Sequence, residues 1–288
     1  MGTSSTYSGP ASGLIPDWVD GVDSGTDVGG GDTPLQDDGG GPNIGEQGQD
    51  SVPESNQDSA LAASAVDFAY PRGQFTRFTN GGGEKALGRS LKGYVSGAGG
   101  GTGATSRMPS STRVASGVAG LARTFAHEGP AAALARFNLQ GLAGRPAAEV
   151  LEAVADAICP DGGTIDEAIA RDAMLEAIAD LAANDPGAFD ELSSDQLNEF
   201  LCDVIARSIV TKILNEIGTN ALHGSASNAD FREAEQITRD YTNGRVRDAL
   251  GSRFEPGSQS TQSEIDTSIA EVFADAFDML GAVLDTMQ

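Results

Sequence analysis

Between Ser194 and Ile217 the chain carries Leu197, Phe200, Leu201, Val204, Ile205, Ile209, Val210, Ile213, Leu214 and Ile217. A helix that buries one face needs apolar residues only at i, i+3/i+4 and i+7. This one spreads them over more than half of its circumference, so it must be packed from several sides. Its start is marked by Ser193 and Gln196 in capping-box spacing, with Leu192 and Leu197 placed as a hydrophobic staple. Two further helices lead into it. One begins at Thr164, with Glu167 three residues on, after the turn-forming run Pro160-Asp161-Gly162-Gly163. The other begins behind Pro146 and shows Val150, Leu151, Val154 and Ile158 on one face. The stretch from Arg145 to Gly218 is a helical hub.

The remaining segments follow the same periodicity. Helices are expected over Glu84 to Val95, Ser110 to His127, a short piece ending at Phe137, and Asn228 to about Leu250. A last one opens on Thr261 with Glu264 as capping box and runs through Ile265, Ile269, Val272, Phe273 and Leu280. Phe68, Tyr70, Phe75 and Phe78 are expected to anchor the start of the folded body, since buried aromatics dominate core energetics. The run GAGGGTGATS contains a formal G-x-G-x-x-A, but no strand precedes it and no G-K-[ST] follows; it is read as a linker. From Gly2 to about Ser64 the chain is Gly, Ser, Asp and Pro with no periodicity, too poor in apolar area to offset the entropy of ordering. Its one apolar island, around Trp18, is either a docking motif or a vestigial cluster. The expected fold is all-α, a multi-helix bundle around a central buried helix, preceded by a long disordered, acidic, Gly/Ser-rich tail.

Charge divides the chain the same way. The net charge is −24, yet residues 72–136 hold nine Lys/Arg against two Asp/Glu. Residues 1–71 hold twelve acids and no base, and residues 137–288 hold 28 acids against nine bases. Three regions are therefore expected: a tail over 1–64, a basic, Gly-interrupted helical segment over 65–136 and an acidic helical bundle over 137–288. The molecule as a whole should repel nucleic acid and anionic lipid. Only the middle block can attract a polyanion, with Arg107, Arg113 and Arg123 as its candidate interaction surface. Acidic protein is the expected partner of that block, and nucleic acid the alternative.

Few residues point to catalysis or metal binding. The sequence holds no H-E-x-x-H, C-x-x-C or G-x-S-x-G, so neither a metal nor a cofactor is expected. His127 and His223 stand near helix ends, where an imidazolium favours the helix dipole. Cys159 and Cys202 lie on or beside apolar helix faces and read as buried free thiols of a reducing compartment. No charged leader with an apolar core opens the chain and no apolar run reaches membrane-spanning length, so a cytoplasmic protein is expected. An enzyme stays open as a third reading, without a candidate constellation.

The first residues are the remaining signal. Met1-Gly2 with Thr6 satisfies the myristoylation pattern, although an acidic stretch without a polybasic signal opposes membrane anchoring. A second reading comes from resemblance. The leader GTSSTYSGP, the strings QFTRFTNGGG and LGRSLKGYVS, and the block GLAGRPAAEVLEAVADAICPDGGTIDEAIARDAMLEAIADLA resemble the QatB family. That family is the helical, non-enzymatic component of the four-part bacterial anti-phage system Qat. The resemblance covers the leader and roughly residues 74–182 and is weaker from Asn184 on. It implies an ATPase partner, a TatD-like nuclease partner and a QueC-like partner. The last is thought to join a deazaguanine-type base to an N-terminal glycine. On that resemblance Gly2 is the modification acceptor, Thr3, Ser4, Ser5, Thr6 and Tyr7 are the leader the partner recognises, and the only cofactor-like group is a covalent adduct on Gly2.

Overall fold

The computed structural model describes residues 66–159, 163–184, 187–219, 227–253 and 260–282; the tail, the Trp18 island and His223 lie outside them. Ten α-helices carry the described chain: α1 (Ala69–Arg77), α2 (Glu84–Ala98), α3 (Gly100–Ser106), α4 (Pro109–Glu128), α5 (Pro130–Ala135), α6 (Ala147–Ile158), α7 (Ile165–Ala183), α8 (Ser194–Ile213), α9 (Asn228–Arg253) and α10 (Gln262–Gly281). Single π-helical turns at Phe78–Gly82 and Leu214–Gly218 close α1 and α8. Among the described residues there is no strand, only one isolated bridge between Pro146 and Ala188. The fold is all-α, as the periodicity requires.

Helix starts form where the caps were read. The hydroxyls of Thr164, Ser193 and Thr261 accept the backbone N–H of Glu167, Gln196 and Glu264, each in a complete capping box. Pro146 is the N-cap of α6, which begins behind it at Ala147 as expected. The expected hub is α8, which packs against α4, α7 and α9 and buries Leu201, Val204, Ile205 and Ile209 completely. A second centre is α10, surrounded by α2, α3, α4 and α9, with Ile269, Val272, Phe273 and Phe277 fully buried. Because α4 and α9 each touch both, one hydrophobic cluster runs from Phe68 to Leu280 and draws on the basic and the acidic stretches alike.

The glycine run after α2 corrects the linker reading. Gly99 has φ +92, a left-handed conformation open to glycine, and there the chain turns out of α2 directly into α3. α3 lies hard against α10, and Gly101 is the point of contact. Its N–H donates to Asp278 Oδ1 at 2.7 Å, and a Cβ built on it would overlap the carbonyl oxygen of Ala274 and stand 2.8 Å from Asp278 Cγ. Glycine is poor helix material, but here it lets two backbones meet. Gly101→Ala is expected to cost about 1–3 kcal/mol through overpacking. Gly73→Ala in α1, where a Cβ would meet nothing within 4 Å, should instead be neutral or stabilise by about 0.5–1 kcal/mol. Urea unfolding of the pair decides; equal midpoints would mean that α3 is not seated on α10.

Candidate functional site

The leader residues Gly2, Thr3, Ser4, Ser5, Thr6 and Tyr7 lie outside the described residues. The three arginines of the expected basic surface are described, and the structure does not bring them together. Arg107 closes α3 and turns inward, its Nη2 2.6 Å from Glu216 Oε1 and its guanidinium 5.5 Å from the centre of the Phe68 ring. Arg113 is exposed in the first turns of α4 and donates to Ser110 Oγ at 3.1 Å. Arg123 stands ten residues on, about 15 Å along the helix and on another face, with its Nε buried.

Arg107 belongs to a half-buried polar cluster around Glu216, which the π-helical turn after α8 turns toward α2. Glu216 Oε1 also accepts from Lys212 Nζ at 3.1 Å, Oε2 accepts from the Tyr94 hydroxyl at 2.7 Å, and its carbonyl accepts from Arg72 Nε at 2.8 Å. Burial alone would raise the Glu216 pKa, but the hydrogen bonds from Arg107 and Tyr94 and the charge of Lys212 hold it below the usual carboxylate range. Burial, followed by the Glu216 charge, pushes the Tyr94 hydroxyl well above its ordinary value. Both carboxylate oxygens are occupied by donors. The cluster ties α1, α2 and α3 to the end of α8; it is a tether, and it draws Arg72 and Arg107 of the basic stretch inward.

A second cluster interrupts the apolar hub. Arg207 on α8 has a side chain only 5% exposed. Its Nε donates to Asp203 Oδ2 at 2.8 Å, its Nη1 to Glu176 Oε2 at 2.5 Å and its Nη2 to Asp180. Sequence reasoning missed it, although an arginine inside an apolar run with an aspartate at i−4 is the available signal. Beside it, α7, α8 and α9 leave a groove of about 440 Å³ floored by Ala177, Leu181 and Phe200 and edged by Asp195, Glu199 and Asn243. Glu199 is engaged by Arg247 at 2.6 Å, and Asp180 and Asp203 both by Arg207, which Glu176 shares as well, so each of these acids meets a guanidinium while the Arg207 cluster keeps a net negative charge.

Both thiols are buried, as expected. Burial, with the Glu199 charge second, pushes the Cys202 thiol up to about 12, and burial raises Cys159 as well, against the opposing charge of Arg171. In the native protein at pH 8 a disulfide reagent should therefore label neither cysteine within minutes, and both on unfolding. Fast native labelling of Cys159 would reopen a nucleophilic role for it. His127 lies in the last turn of α4, where the dipole argument placed it. Among the described residues no group of three or more His, Cys, Asp or Glu could hold a metal ion, and no helix is long and apolar enough to cross a membrane.

Comparison with known proteins gives one match. The model of a family described as QatB, Qat anti-phage system associated protein QatB, matches residues 99–280, more than half of the chain. The matched span continues through 184–280, beyond the stretch whose strings carry the resemblance. No curated protein and no solved structure matches.

Proposed function

We propose, given that the chain belongs to the QatB family of Qat anti-phage system associated proteins, that it is the bridging, non-catalytic component of such a system and is modified on its own N-terminal glycine. The family match over residues 99–280 carries this reading. The leader supports it: Gly2 is followed by Thr3, Ser4, Ser5 and Thr6, and the first lysine is Lys85. Removal of Met1 exposes the glycine amine at the head of a segment of small residues, which a partner's cleft can admit. A QueC-like enzyme would activate the carboxylate of a deazaguanine-type base with ATP. The Gly2 nitrogen attacks the acyl adenylate, the new C–N bond forms as the C–O bond to AMP breaks, and the amine proton passes to solvent.

The ATPase and the TatD-like nuclease are the other proposed partners, met in the cytoplasm through the helical body. Intact mass of the chain expressed with and without the QueC-like protein tests the proposal. The expected result is one base-sized addition, located on the N-terminal peptide and dependent on the partner. An unchanged mass in cells that resist phage would overturn it.

A further inference from the structure

The hairpin of α1 and α2 presents an outer face unlike the rest of the molecule. On α1, Tyr70, Gly73 and Arg77 are all exposed at three- and four-residue spacing, which places them in one row. On α2, Lys85, Arg89 and Lys92 form a second exposed row at i, i+4 and i+7. The rows meet at Gly93, where a Cβ would stand 3.0 Å from Tyr70 Cδ1. The ring therefore lies against the α2 backbone, one helical turn beyond Arg89, and Tyr70 remains 59% exposed. A Cβ on Gly73 would meet nothing within 4 Å, so the space between Tyr70 and Arg77 is open.

Among the described residues the charges on this face are unanswered. α1 has no acidic residue, and Glu84, the first residue of α2, is the only one in that helix. Among the described residues Arg77, Lys85, Arg89 and Lys92 make no ion pair and no side-chain hydrogen bond. Elsewhere Arg107, Arg171, Arg207 and Arg247 all meet carboxylates. In a chain with 42 acids and 18 bases, four neighbouring cations turned to solvent make a local positive field on a negative molecule.

We propose that this face docks an acidic segment of a partner protein: Arg77, Lys85, Arg89 and Lys92 pair with its carboxylates, and Tyr70 receives one apolar side chain. Lys85 to Lys92 spans about 10 Å along the helix, the length of an extended segment of about three or four residues. Beyond Lys85 the face is bounded by Glu84, Asp230 and Glu233, which edge a separate hollow. A short acidic peptide fits within those bounds. A nucleic acid long enough to exchange many phosphate contacts would run onto the acidic remainder of the body, where it is repelled. The proposal rests on the bridging role above and is independent of the glycine chemistry.

Fluorescence anisotropy on the full chain tests it, with a labelled peptide of Asp and Glu around one central Leu and, separately, single-stranded oligo-dT of equal length. The peptide is expected to bind at about 50 mM salt and to weaken about tenfold or more at about 300 mM, because the pairs are solvent-exposed. Reversing the four cations (Arg77→Glu, Lys85→Glu, Arg89→Glu, Lys92→Glu) should abolish binding. Tyr70→Ala should weaken it about threefold to tenfold at both salt concentrations. Circular dichroism of each variant should match the parent, since none of the five side chains is buried. Peptide affinity untouched by charge reversal, or no binding at low salt, would overturn the proposal; tighter binding of oligo-dT would assign the face to nucleic acid instead. The N-terminal adduct is read by mass on the unaltered chain, so failure of one reading leaves the other's result intact.

Discussion

Ile205→Ala and Leu201→Ala are each expected to destabilise the protein by about 2–5 kcal/mol. Both side chains are fully buried on α8, which is held by α4, α7 and α9. A truncated side chain leaves a cavity whose cost depends on how far its walls relax, and here the walls belong to helices already fixed elsewhere. α4 and α9 also pack on α10, and α7 is bound to α8 through Glu176, Asp180 and Arg207. None can move into the gap without giving up contacts of its own. Leu175→Ala supplies the control, because that side chain on α7 is 41% exposed and its loss should cost less than about 0.5 kcal/mol. Chemical denaturation with a common m-value reads all three. A loss below about 1 kcal/mol at both core positions would mean that α8 is not the packed centre of the free protein.

What could be read from the sequence follows from the range of the forces involved. The capping boxes at Thr164, Ser193 and Thr261 are local, complete within four residues, and all three form. The apolar face of α8 is nearly as local, since periodicity alone states that it must be enclosed. α3 was hidden because its stability is not in its own residues: Gly100, Gly101 and Gly103 argue against a helix until Ala274 and Asp278 arrive from the other end of the chain. Charge misled for the same reason. Arg107 falls in a basic stretch by sequence, but its partner Glu216 is 109 residues away and draws it inward. The aromatic cluster was half legible: Phe68, Phe75 and Phe78 are buried and stack or meet edge to face with Tyr94 and one another, whereas Tyr70 stays outside. The spacing of Lys85, Arg89 and Lys92 puts them on one face of any helix over Glu84 to Val95, but only adjacency to Tyr70 and Arg77 sets that row apart from an ordinary solvated surface. The glycine acceptor is first suggested by the family resemblance alone; amine chemistry supports it only once an acylating partner is assumed.

Gly2→Pro is expected to abolish both the N-terminal adduct and phage resistance while leaving the helical body unchanged. The chemistry favours Gly2 over every other amine. An α-amino group titrates near 8, against about 10.4 for a lysine, so at cellular pH a usable fraction is already the free nucleophile. The chain has only three lysines, Lys85, Lys92 and Lys212. Lys212 is held 3.1 Å from Glu216 and its side chain is only 12% exposed. Lys85 and Lys92 are exposed, yet they project from the first turn and the middle of a helix and cannot be threaded into a cleft as a free end can. A chain terminus without a side chain presents its nitrogen unhindered. Proline in its place offers a secondary amine whose ring crowds the line of attack on the adenylate, so acylation should fail although the terminus is intact. Gly2→Ala keeps a primary amine and should retain part of the modification, which separates chemistry at the nitrogen from recognition of Thr3 to Tyr7. Peptide mapping after co-expression with the QueC-like partner should place the added mass on the N-terminal peptide, with those containing Lys85 and Lys92 unmodified. Full protection of cells by the Gly2→Pro chain, or an adduct that migrates to lysine, would end the assignment of Gly2 as the acceptor.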